Sequence, residues 1–191
     1  RSLSFTGTAL GLRIDTATGR VHVGANTPAS TYYETVTVTD EAGATAALAI
    51  TIRVNPQVSV SGGSNITTTY SIADSSSVFT ASGGTTASTG GTAGSTFTFS
   101  LGTVTDSAGA SVNAAANGIS INSSTGRVSV TSSTPADTYS VQVVAADELG
   151  ETGSVSMTIV VNQMITVVGG TTITGYNDSA TTHTFTFTKG T

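Results

Sequence analysis

The residues of this 191-residue chain best suited by type to do chemistry are two adjacent carboxylate pairs, Asp40-Glu41 and Asp147-Glu148. Paired carboxylates cleave glycosides when they flank a bond across a cleft. Adjacent residues on a strand or turn point apart, and both pairs open an Asp-Glu-x-Gly segment (Asp40 to Gly43, Asp147 to Gly150) that suits a hairpin turn better than an active site. The two histidines, His22 and His183, sit on or beside alternating segments and are expected to face solvent, with no partner to make either a general base. No Gly-x-Ser-x-Gly elbow, zinc-binding His pair or Gly-Lys-Ser/Thr phosphate loop occurs, and the glycine-rich run Gly83 to Gly94 lacks a lysine and reads as a loop. The chain is therefore not expected to be an enzyme.

Other reactive positions are modifications or surfaces. Asn65, Asn122 and Asn177 begin Asn-x-Ser/Thr triplets and are glycosylation acceptors in a host that modifies secreted proteins. Lys189 is the sole lysine, which limits any lysine-borne isopeptide cross-link to one per chain. Threonine ladders at Thr35, Thr37 and Thr39 and at Thr184, Thr186 and Thr188 could bind sugar or ice, yet threonine is also a good strand former on a wet sheet face. With no Trp and five Tyr, few aromatic rings are on offer for stacking on sugars.

Composition sets the frame that holds these residues. Hydrophobic residues make up 37% and charged residues 9%, too apolar for disorder. With 22 Gly and abundant Ser, Thr, Ala and Val, the mix is that of short strands joined by tight turns. A net charge of -5 with scattered basic residues offers nothing to nucleic acid or to anionic lipid. No stretch is long and apolar enough to insert in a membrane as a helix. Cysteine is absent, which removes disulfides and thiolate metal sites. The numbering opens at Arg1 without an initiator Met or a signal core, as expected of a mature or excised segment of a secreted protein.

An internal repeat organises the chain. Residues 11–55 match residues 118–162 without a gap at an offset of 118 - 11 = 107. Gly11, Ile14, Thr18-Gly19-Arg20-Val21, Thr27-Pro28-Ala29, Tyr32, Asp40 and Ile52 recur as Gly118, Ile121, Thr125-Gly126-Arg127-Val128, Thr134-Pro135-Ala136, Tyr139, Asp147 and Ile159. A period of this length is that of one immunoglobulin-type sandwich. Gly62-Gly63 and Ile66-Thr67 return as Gly169-Gly170 and Ile173-Thr174 at the same offset, whereas Thr96-Phe97-Thr98-Phe99 returns as Thr184-Phe185-Thr186-Phe187 at 184 - 96 = 88. The expected organisation is the C-terminal half of a module in 1–55, a complete module in 56–162 and the N-terminal half of a third in 163–191. On these offsets Thr191 falls at module position 191 - 88 = 103 and Arg1 at 1 + 107 = 108, so two half modules from different copies nearly make a whole.

Period-two alternation predicts strands over 20–23, 33–39, 47–54, 58–60, 95–101, 127–130, 139–145, 155–161 and 184–188, with Val36, Val38, Phe97, Phe99, Val141 and Val143 inward. Gly118-Ile119-Ser120-Ile121-Asn122, Thr125-Gly126-Arg127-Val128, Thr134-Pro135, Thr138-Tyr139, Ala146-Asp147 and the closing strand together resemble the immunoglobulin-like and cadherin-like repeat modules of microbial surface proteins. The resemblance implies an all-β fold of tandem seven-strand Greek-key sandwiches, one complete and two partial, at the cell surface in an adhesive, spacer or coat role. Cadherins proper bind calcium between modules through several acidic motifs, and only Asp40 and Asp147 match one of them. Thr-Pro-Ala and Val54-Asn55-Pro56 stand where the others would be. One carboxylate with a neighbouring Glu is short of the six to eight oxygens calcium needs, so no cofactor is expected, and Asp40 and Asp147 are the only candidates for calcium.

Two organisations fit these features. In one, 163–191 of one copy completes the sheets left open by 1–55 of the next, giving a head-to-tail extracellular filament whose partner is the chain itself. In the other, the chain is a window of a covalent tandem array such as an adhesin, stalk or surface layer, and the partners are adjoining repeats. A carbohydrate-binding accessory module is a third alternative.

Overall fold

In the computed structural model, residues 2–5, 11–85, 96–169, 174–175, 182 and 184–188 are described. Strands are β1 (Ser2–Phe5), β2 (Leu12–Ile14), β3 (Val21–Val23), β4 (Ser30–Thr39), β5 (Thr45–Val54), β6 (Ser59–Gly62), β7 (Ile66–Thr69), β8 (Asp74–Ser75), β9 (Phe79–Ser82), β10 (Thr98–Thr105), β11 (Ile119–Ile121), β12 (Val128–Val130), β13 (Thr138–Ala146), β14 (Thr152–Asn162), β15 (Thr166–Val168) and β16 (Thr186–Thr188). One short 3₁₀ turn spans Ala115–Asn117. The chain divides into two compact units, Arg1–Gln57 with Gly83–Ser95, and Val58–Ser82 with Thr96–Thr191.

The second unit contains a two-layer β-sandwich. One sheet has the order β10-β13-β14-β7, in which β7 runs parallel to β14 with Ile66 opposite Ile159 and Thr67 opposite Val160. The other layer is made of β11-β12-β8 and the hairpin β6-β9. Alternation sorts the side chains as expected: Tyr139, Val141, Val143 and Ala145 of β13 and Met157, Ile159 and Val161 of β14 are buried against Ile66, Phe79, Phe99, Ile119, Val128 and Val130. Tyr139 also donates its hydroxyl to the Pro135 carbonyl at 3.1 Å, closing the turn that precedes β13. A Cβ at Gly63 would overlap the Phe79 ring, and Gly63 has φ +70, so glycine lets the β6 end close over this part of the core. The sandwich has nine strands rather than seven, because the short β8 and the β11-β12 hairpin form separate pairings.

In the first unit, β1-β4-β5 form a three-stranded sheet and β2-β3 a hairpin. Tyr32 opposite Ile52 reproduces Tyr139 opposite Ile159, and Leu12 opposite Val23 reproduces Ile119 opposite Val130, all at the 107-residue offset. Tyr32 repeats the tyrosine contact as well, donating to the Pro28 carbonyl at 2.7 Å.

Strand pairing corrects the repeat arithmetic at both ends. Leu3 stands opposite Val38 and Phe5 opposite Val36, while Phe99 stands opposite Ala145 and Leu101 opposite Val143. Val38 and Val36 are the counterparts of Ala145 and Val143, so β1 occupies the place of β10 and Ser2 stands at position 98 rather than 109. At the other end Val167 opposite Phe187 reproduces Val60 opposite Ala81, with offsets of 167 - 60 = 107 and 187 - 81 = 106. Phe185 thus falls at Phe79, and the second Thr-Phe-Thr-Phe takes the place of β9, not of β10. Period-two segments of Thr and Phe are interchangeable by pattern, and pairing partners decide which is which. The first unit accordingly holds counterparts of β10 to β14. The β15-β16 ribbon holds counterparts of β6 and β9.

Candidate functional site

Asp40 and Asp147 are placed at hairpin turns and used by them. The Asp40 Oδ1 accepts from the Ala42 and Ala44 amides at 2.9 and 2.8 Å, and the Asp147 Oδ1 from the Leu149 and Glu151 amides at 3.0 and 2.8 Å. Gly43 and Gly150, both at φ +86, complete the loops in a left-handed conformation that a side chain would strain. Asp106 makes the same bonds to the Ala108 and Ala110 amides at 3.0 and 2.9 Å, so the motif appears three times. Sequence reading missed that third case; the signal was Asp106-Ser107-Ala108-Gly109.

Among the described residues no group of three or more His, Cys, Asp or Glu is gathered as a metal site. Since Asp147 is buried and braces a turn, Asp147→Ala is expected to cost roughly 1–3 kcal/mol as two amides lose an acceptor, whereas excess chelator should leave the melting temperature unchanged. Calorimetry with and without chelator checks both.

Asn65 and Asn122 are exposed. The Asn65 Oδ1 accepts from the Thr158 amide at 2.9 Å, and the Asn122 Oδ1 from the Ser124 and Thr125 amides, both at 3.0 Å. Asn177, His183 and Lys189 lie outside the described residues. His22, on β3 opposite Arg13 of β2, is half-buried and lies near enough to Asp15 for its charge to act on that carboxylate. Two shallow clefts, of about 330 Å³ beside Ala136, Asn162 and Gln163 and about 270 Å³ beside Ala29, Asn55 and Pro56, share these three equivalent positions of the repeat and bring no acid–base pair together.

Three groups tie stability to pH. A hydrogen bond from the Thr18 hydroxyl, then the Thr18 and Ala17 amides, holds Asp15 below its ordinary 3.8, and the Ser107 hydroxyl and Thr138 amide do the same for Asp137. A folded-state carboxyl pKa below the unfolded one stabilises above the unfolded value and loses that stabilisation as pH falls through the folded one. Tyr139 shifts the other way: burial, then the Asp137 and Asp106 charges, raises its phenol above 10.0. Its contribution is complete below pH 10.0 and lost as pH rises through the raised value. Denaturant midpoints are therefore expected to be flat at neutral pH, to fall below 3.8 and to fall again above 10.0, with Tyr139→Phe removing the alkaline loss.

The remaining feature is apolar. In the first unit Leu12 is the one buried apolar side chain among the described residues. Val23 is 51% exposed where its counterpart Val130 is 3%, and Leu48, at the position of half-buried Val155, is 66% exposed. On the β15-β16 ribbon Phe185 is 51% exposed and its counterpart Phe79 3%, while Ile165 and Val167 are exposed and their counterparts Val58 and Val60 packed. Positions whose counterparts are packed in the second unit are thus exposed in the first unit and on the ribbon. One inward position is not apolar: Glu34 occupies the place of Val141 and is itself buried.

No protein-family model matches the chain, and no curated protein does. Solved structures similar to it include mouse cadherin-23 EC22-24 (16% identity, 85% of this chain and 53% of that one, TM-score 0.38). Protocadherin gamma B7 cadherin domains 1-4 give 13% identity over 98% of this chain and 47% of that one, with a TM-score of 0.44. The human desmocollin-1 ectodomain gives 14% over 84% and 33%, with a TM-score of 0.39. The chain spans about half or less of the length of these structures. Its own strand pairing makes it an all-β sandwich fold.

Proposed function

We propose that the chain is a non-catalytic structural subunit of an extracellular filament or surface fibre, joined head to tail to copies of itself by completion of split sandwich modules. The observation that carries this reading is that, among the described residues of the first unit, Leu12 is the one buried apolar side chain, whereas the counterparts of its inward positions form the core of the second. A sheet pair of this size is not stable while its inner faces are wet. A heterologous contact that covers one face with the complementary segment of another copy repeats without closing, and so builds a fibre. The Oδ1 atoms of Asp40 and Asp147 accept from backbone amides of their own turns, a structural use that suits a non-catalytic module.

Intact mass and electron microscopy of the natural assembly test the reading. Fibres that release an 18.9 kDa chain only in strong denaturant are expected. A much longer polypeptide would replace strand pairing by a covalent array, and a monodisperse monomer at all concentrations would end the filament reading.

A further inference from the structure

We infer that the occupant of the open first unit is the 165–188 segment of a second copy, seated as β6 to β9 sit in the complete sandwich, with a register that puts Thr174 of one copy beside Arg53 of the other. This rests on the reading that copies complete one another's split module.

The strand inventories fit without overlap. The first unit supplies the places of β10, β11, β12, β13 and β14, and the β15-β16 ribbon those of β6 and β9. β5 is the outer strand of its sheet, and its counterpart β14 carries β7 in parallel on that edge. Thr67 opposite Val160, moved by 107 residues on each side, becomes Thr174 opposite Arg53, two exposed residues.

Ile165, Val167, Phe185 and Phe187, facing Val23, Val38 and Leu48 in this seating, are exposed apolar side chains on both sides of the contact, so pairing them removes apolar surface from water on each copy. One position departs from the template. Gly153 lies against the Val58 backbone with no room for a Cβ, and its counterpart is Ala46, so Ile165 must sit slightly farther from β5 than Val58 does from β14.

Because the chain has no cysteine, disulfide trapping reads the register directly. A chain carrying both Arg53→Cys and Thr174→Cys should give a non-reducing ladder of dimers, trimers and higher species that collapses on reduction. A chain carrying Thr51→Cys and Thr174→Cys, whose Cα atoms would be about 8 Å apart in this register, should cross-link at least about tenfold less. Equal or reversed trapping, or fibres in which neither pair cross-links, would overturn the register while leaving the filament reading standing. A disulfide that closes within one chain would overturn the second copy as occupant. Chains that neither trap nor assemble by sedimentation would remove the filament reading itself.

Discussion

Tyr139→Ala is expected to unfold the complete sandwich at moderate temperature. The ring is 2% exposed near the start of β13, opposite Ile159 and within the core cluster, and removing a buried aromatic ring of this kind costs about 3–5 kcal/mol. The hydroxyl contributes separately, and Tyr139→Phe should cost only about 1 kcal/mol because one hydrogen bond to the Pro135 carbonyl is lost with the packing intact. Thermal melts should show Tyr139→Ala lower by more than roughly 10 °C and Tyr139→Phe by a few degrees. Equal losses for the two variants would mean that the hydroxyl, not the ring, anchors β13.

The second large effect is on assembly and leaves the sandwich alone. Phe185→Asp together with Phe187→Asp puts two carboxylates where the joint needs apolar rings, and an unpaired charge in a desolvated interface costs several kcal/mol. Since each 1.4 kcal/mol is tenfold in affinity, fibres should disappear from sedimentation profiles at concentrations where the parent chain is wholly assembled. The melting transition of the complete sandwich should remain, because both residues are exposed and lie outside its core cluster. Fibres that persist in the double variant would show that the ribbon is not part of the joint.

Much of this fold was legible in the sequence. The long hairpins β4-β5 and β13-β14 are written in alternating Val, Tyr and Ile, and the Asp-Glu-x-Gly turns between them carry both an acceptor side chain and a residue free to take positive φ. The strands that escaped notice are short: Ser2–Phe5 alternates over only four residues, Leu12–Ile14, Ile119–Ile121 and Thr166–Val168 have three each, Ile66–Thr69 is mostly Thr, Phe79–Ser82 has one large apolar residue and Asp74–Ser75 has two residues in all. They are strands because a neighbouring edge accepts them, which is a property of the partner and not of the segment. The same reasoning explains why Thr184 to Phe187 matched the wrong repeat of its own motif. Glu34 was readable, since alternation from Tyr32 to Val38 turns it inward, but its acidic side chain hid it among surface residues. The exposed rings of the candidate joint were visible as apolar residues. That they are largely exposed is a three-dimensional fact.

The parallel pairing of β7 with β14 bears on how such a fibre would carry tension. If copies join as proposed, β5 would continue from its C-terminal end into the body of its own copy, whereas the incoming segment would be held from its N-terminal side by the other. Two parallel strands gripped at opposite ends are pulled past each other lengthwise. Their rungs are then stressed together and cannot be opened one after another, so a subunit interface without a single covalent bond would yield by sudden slip at high force and not by gradual peeling.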